Sequence, residues 1–201
     1  MNKLKIIMSK EKKKELKDYS ADLLSLESHL MKAVKKQKTS DRVKDSDAID
    51  LLHEIDKTLS EQVMKLENHV ERLGGELKSD LKEKLATFTG SVAGMIDNFR
   101  TDPTSKILRD NYTALSMLSI GYTMLHTVAL ANEDSLLAEL TDSHLSELTQ
   151  LVAEVSRVIP LVVARETIDD PIRAEEIGKI ALENTQEAWA GENIKGGPSI
   201  I

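Results

Sequence analysis

Between about Lys10 and Lys38 the residues Leu16, Tyr19, Leu23, Leu26, Leu30 and Val34 return every three or four positions, and the same step runs through Leu52, Ile55, Leu59, Val63, Leu66, Val70 and Leu73. An α-helix turns once in about 3.6 residues, so this spacing gathers the apolar side chains on one face, where a strand would split them between two. A further stripe follows with Leu137, Leu140, His144, Leu148, Leu151, Val155 and Ile159. Faces of this kind are stable only when they cover one another, so the spacing predicts an all-α protein of packed helices.

Local punctuation sets the boundaries. "KTSDRVKDSD" ends the first stripe, and Asp45, Asp47 and Asp50 suit the positive N-terminal end of a second helix over 45–73. Gly74-Gly75 stops that helix, and Leu81, Leu85, Phe88, Val92, Met95 and Phe99 predict a shorter one over 79–99. Asp102 as cap and Pro103 at the first helical position restart the chain for a long helix over 103–131. Asn132 is expected both to end it and to cap the next, which runs over 133–166 with a kink at Pro160. Asp170-Pro171 opens a short C-terminal helix that Trp189 is expected to pin, followed by a tail. The expected plan is a helical bundle over 1–166, built as two antiparallel hairpins with a short helix between helices two and three. Residues 167–201 form the C-terminal helix and tail.

Composition narrows the chemistry. One Trp, three Tyr and two Phe leave the core to Leu, Ile, Val, Met and Ala. The absence of cysteine removes disulfides, thiolate metal sites and Cys nucleophiles. "MNKLKIIMSKEKKK" has no apolar run of secretory length, so a cytoplasmic chain is expected. Residues 112–131, "YTALSMLSIGYTMLHTVALA", carry no charge over a length that could cross a bilayer. Their two Ser, three Thr, Gly and His, and the lack of flanking basic anchors, favour a helix buried in a bundle, so no membrane is expected. Residues 1–45 hold 13 Lys or Arg against 7 Asp or Glu, a balance of +6, and the chain's total of −7 leaves −13 for the rest. A basic arm of this kind can contact nucleic-acid phosphate. The shortage of arginine and interleaved aromatics argues against base reading, and a solvated helix face accounts for the run.

Within the first stripe, "LLSLESHL" places a carboxylate, Glu27, among leucines. A buried carboxylate costs several kcal/mol unless it is paired, bound to metal or protonated. With hairpin turns near 43 and 132, Glu27 lies level with Glu61 and Gln62, and His144 level with Gly121 and Tyr122. Glu27, Glu61 and His144 are therefore the candidate ligands for an iron, manganese or zinc ion in the interior. The competing expectation is a carboxylate and a core histidine held by hydrogen bonds. No phosphate-binding loop, nucleophile elbow, Ser-His-Asp order or His pair at helical spacing is present, so no catalytic residue and no organic cofactor is expected.

"ADLLSLESHLMKAV" and "EQVMKLENHVERLGG", the short helix after Gly75 and "IGYTML" resemble the bacterial ferritin-like family related to the YciE and YciF stress proteins. The resemblance covers about residues 10–166, with His-Val-Glu-Arg-Leu at 69–73 its most specific piece. It implies a ferritin-like four-helix bundle and places Glu27 on the family's helix-one carboxylate. A di-metal carboxylate centre takes a Glu from each of two helices and Glu-x-x-His from each of the other two. Here Met64 stands where the His after Glu61 would be, and Leu66 precedes His69 by three. Leu115 and Leu118 fall at carboxylate positions, and His144-Glu147 has the spacing in reversed order. The expected function is that of a non-catalytic binding or structural protein of stress-response type without the standard di-iron ligand set. The alternatives are a non-standard Glu/His metal site and non-specific DNA binding by the lysine-rich first helix. The abundance of Leu and Met leaves apolar surface for a second copy, so a homodimer is expected.

Overall fold

The computed structural model describes residues 2–73 and 103–190, with side chains described at Lys12 and from Lys14 onward. The short helix expected over 79–99, the cap at Asp102 and the tail after Ala190 lie outside the described residues. Five α-helices and no strand are present among those described: α1 Asn2–Gln37, α2 Ser46–Arg72, α3 Thr104–Ala131, α4 Ser135–Thr167 and α5 Pro171–Ala190.

Aspartate caps explain three of the five helix starts. Asp45 accepts from Ala48 N at 3.1 Å and opens α2. Asp170 accepts from Ile172 N at 2.9 Å, and Pro171 takes the first position of α5, where its missing N–H costs nothing. Two expectations need correction. Asn132 ends α3 but turns its amide back to Val128 O at 2.9 Å, while Asp134 caps α4 by accepting from Leu137 N at 3.0 Å. Between them Glu133 takes φ 60°, the left-handed conformation that closes the tight turn. Pro103 is itself the N-cap of α3 and the helix proper starts at Thr104. Downstream, α4 continues through Pro160 as one helix.

The packing follows the stripes. α1 packs on α2 and α3, α4 packs on α2 and α3, and α5 lies against α4. Glu27 meets Tyr122 and Gln37 meets Asn111, so α1 and α3 run antiparallel. Gln62 meets Glu147 and Arg165 meets Asp45, so α2 and α4 are antiparallel as well. The four contacts close a ring around a core of Leu24, Leu52, Ile55, Leu59, Leu115, Leu118, Leu125 and Leu148, all fully buried. In α1 the expected Leu16, Leu23, Leu26, Leu30 and Val34 are buried and the face is wider than the stripe, taking in Ser20, Leu24 and Glu27 with no solvent contact, while Tyr19 is 37% exposed.

α5 is held by close approach more than by its tryptophan. A Cβ on Gly178 would lie 3.1 Å from Leu161 Cα, so the two backbones nearly touch there, and Ala174 is buried beside them. Trp189 tilts onto Tyr112 with ring centroids 6.0 Å apart, yet remains 59% exposed.

Candidate functional site

The close approach of α1 and α3 at Gly121 creates the interior polar group. A Cβ on Gly121 would sit 2.6 Å from Leu23 Cδ1, a distance no real Cβ tolerates without movement. With only hydrogen there, the next residue, Tyr122, reaches across to α1. Its hydroxyl donates to Glu27 Oε2 at 2.7 Å and lies 2.9 Å from His144 Nδ1. The Tyr122 and His144 rings meet edge to face with centroids 5.1 Å apart. All three side chains are fully buried, and they come from three helices.

Burial decides their protonation. Glu27 is pushed up from 4.5 to about 8 by loss of water, with the negative Glu147 adding to the rise and the Tyr122 hydroxyl opposing it. The carboxyl group is therefore mostly neutral at pH 7. His144 is pushed down from 6.5 to about 4, again chiefly by burial, and is neutral as well. The Tyr122 hydroxyl is raised well above 10 by burial and by Glu27. The layer thus resolves its buried charges by protonation instead of ion pairing.

A neutral His144 that donates from Nδ1 to the Tyr122 oxygen carries its lone pair on Nε2. That nitrogen and Glu27 Oε1 find no hydrogen-bond partner among the described residues. The chain Glu27–Tyr122–His144 is saturated at its centre and open at both ends. Beside it, Gln62 on α2 donates to Glu147 Oε2 at 2.7 Å and to His144 O at 3.2 Å, tying the fourth helix of the ring to the same level.

Of the expected ligands, Glu27 and His144 are brought together through Tyr122, whereas Glu61 is not brought in. Glu61 is exposed, because the buried face of α2 runs through Leu59, Gln62, Val63 and Leu66 and leaves position 61 outside. No group of three or more His, Asp or Glu that could hold a metal ion occurs among the described residues. The residues facing the interior from α3 at this level are Leu115, Leu118, Tyr122 and Leu125, which provide no carboxylate. This donor set does not fit a di-metal carboxylate centre, which needs acidic ligands from all four helices.

A second buried polar pair was not expected from the sequence. Asn111 Nδ2 donates to Gln37 Oε1 at 2.8 Å, joining α3 to the last turn of α1. The signal was available: Gln37 lies one helical step beyond Val34, at the end of the α1 stripe. Elsewhere His126 bonds Ala138 O at 3.1 Å and Thr141 Oγ1 at 3.0 Å, a contact within the α3–α4 hairpin. No family model, characterised protein or solved structure matches the chain.

Proposed function

We infer that the chain is a ferritin-like four-helix bundle, set in the cytoplasm, that serves as a binding or structural protein of stress-response type. In this reading its interior is a hydrogen-bonded polar layer and not an oxidative metal centre. The observation that carries it is the position of the Tyr122 hydroxyl, within 2.9 Å of both Glu27 and His144 and hydrogen-bonded to each. Two features support it further: α1 and α2 antiparallel to α3 and α4 respectively, and the aliphatic residues that α3 supplies where a di-metal bundle supplies carboxylates.

A layer of this kind has a physical role in a Leu-rich bundle. Leucine faces slide past one another at little cost, whereas a buried hydrogen bond penalises every register but one. Anaerobic loading with Fe(II) followed by exposure to oxygen tests the reading. The expected result is no stoichiometric iron after desalting and oxygen uptake at the rate of a protein-free control; stoichiometric iron with rapid uptake would refute it.

A further inference from the structure

The hydrogen bonds along Glu27, Tyr122 and His144 can run in two directions without moving a heavy atom. In one, the Tyr122 hydroxyl donates to Glu27 Oε2 across 2.7 Å and His144 Nδ1 donates to the Tyr122 oxygen across 2.9 Å. In the other, a protonated Glu27 Oε2 donates to the Tyr122 oxygen, the hydroxyl donates to Nδ1, and the imidazole carries its proton on Nε2. A phenol hydroxyl both donates and accepts, and a neutral imidazole has two tautomers, so either direction satisfies the same two contacts. All three side chains are fully buried, so bulk water does not take over either contact.

The charge on Glu27 selects the direction. A carboxylate is the strongest acceptor of the three groups, and a charge-assisted bond is about twice as strong as a neutral one, so ionised Glu27 draws the hydroxyl proton toward itself. A neutral carboxyl is instead the strongest donor, with imidazole the strongest acceptor, and the chain then runs from Glu27 to His144. Held in the first direction, a neutral Glu27 would keep its proton on Oε1 and His144 its lone pair on Nε2, and neither atom has a partner among the described residues. Reversal puts the carboxyl proton and the imidazole lone pair to use on the two contacts that exist. The groups acting on the chain are Tyr122 itself from α3, Glu147 from α4, which acts on all three members, and Lys65 from α2, which acts on His144. Glu27 has no cationic partner among the described residues, which leaves burial to set its protonation.

We propose that the layer is a reversible proton relay, in which ionisation of Glu27 on α1 switches the tautomer of His144 on α4 through the Tyr122 hydroxyl. From ionised to neutral Glu27, the Nδ1 proton passes to the Tyr122 oxygen, the hydroxyl proton passes to Glu27 Oε2, and one proton from solvent binds Nε2. Three bonds to hydrogen form and two break, so the layer gains one proton and the imidazole is neutral at both ends. Nε2 accepts when Glu27 is charged and donates when it is not, so a proton held on one helix is reported on another. The inference rests on the interior being a hydrogen-bonded layer, and the two fail apart: iron uptake refutes that reading, whereas a fixed tautomer in an iron-free protein refutes the relay alone.

Nuclear magnetic resonance of the full chain, labelled with 13C and 15N, tests the relay. The window runs from about 1.5 pH units below the Glu27 ionisation at about 8 to about 1.5 above it, where His144, with its pKa of about 4, stays neutral. The Glu27 carboxyl 13C shift reports its ionisation, and the two ring 15N shifts of His144, assigned through its own side-chain carbons, report which nitrogen bears the proton. The expected result is Nε2–H at the lower end, Nδ1–H at the upper end, and one midpoint shared by the carboxyl and ring signals. Glu27→Gln, neutral at every pH and able to donate through its amide, is expected to hold Nε2–H throughout. Tyr122→Phe is expected to abolish the ring transition while the carboxyl still titrates. A wild-type tautomer that stays fixed while Glu27 titrates would overturn the relay, as would a ring transition that persists in either variant. A Glu27 carboxyl that ionises in the ordinary carboxylate range, with the ring unchanged across the window, would do the same.

Discussion

The hydroxyl of Tyr122 on α3 bonds both Glu27 on α1 at 2.7 Å and His144 on α4 at 2.9 Å, so one oxygen couples three helices. Tyr122→Phe removes that oxygen and leaves two buried polar groups without their shared partner. Unsatisfied buried groups cost about 1–3 kcal/mol, more than the net value of the bonds themselves. The variant is expected to unfold at lower urea by a free energy in that range, with an unchanged denaturant slope. Because the hydroxyl holds the Glu27 carboxyl down, its loss also moves the Glu27 ionisation upward from about 8.

The two perturbed groups give the stability a pH profile of defined sign. Glu27 titrates near 4.5 in the unfolded chain and about 8 when folded, so its contribution is present in full below pH 4.5 and is lost as pH rises through about 8. His144 titrates near 6.5 unfolded and about 4 folded; its contribution is present above pH 6.5 and lost as pH falls through about 4. Between pH 4.5 and 6.5 the two slopes oppose each other. Between 6.5 and 8 Glu27 acts alone, with a loss of about 1.4 kcal/mol per pH unit. The stability difference between wild type and Glu27→Gln, measured by urea titration at a series of pH values, is expected to fall across that upper window; a flat difference would mean an ordinary carboxylate.

The helices were legible because their signals are local. Spacing and the Asp170-Pro171 start of α5 are each written within a few residues. The level of His144 with Tyr122 was legible too, since a hairpin fixes which turns face each other once its loop is placed, whereas the level of Glu27 with Tyr122 runs between the two hairpins and no short loop fixes it. What the spacing left open is how far each buried face extends beyond its stripe. On α2 the stripe Leu59, Val63 and Leu66 is buried as expected and takes in Gln62 beside it, about 100° around the helix from the exposed Glu61. On α1 Leu16, Leu23, Leu26, Leu30 and Val34 are buried, and Ser20, Leu24 and Glu27 join them while Tyr19 stays partly exposed. The cap at Asp134 was hidden because a left-handed Glu133 carries no composition signal of its own.

Gly121 offers a test of the α1–α3 approach through opposing terms. Replacing a helical glycine by alanine gains about 1 kcal/mol in propensity. Here the new methyl would meet Leu23 Cδ1 at 2.6 Å, so the end of that side chain must move aside, which offsets part of the gain. Gly121→Ala is therefore expected to gain less in the wild type than in a Leu23→Ala background, where the full gain of about 1 kcal/mol is available. Thermal unfolding of the four proteins of this cycle checks it, and equal effects in both backgrounds would place the helices farther apart.

Neighbouring positions on α2 separate the interior layer from the surface most sharply. Gln62 is fully buried, and its amide donates to Glu147 Oε2 at 2.7 Å and to His144 O at 3.2 Å. Truncation to alanine opens a void and strips Glu147 of its donor, so a loss of about 1–3 kcal/mol is expected for Gln62→Ala. Glu61 is exposed on the adjoining face, and Glu61→Ala should stay within about 0.5 kcal/mol of the wild type. Urea unfolding of the two variants measures the contrast, and a larger effect at Glu61 than at Gln62 would reverse the facing assigned to α2.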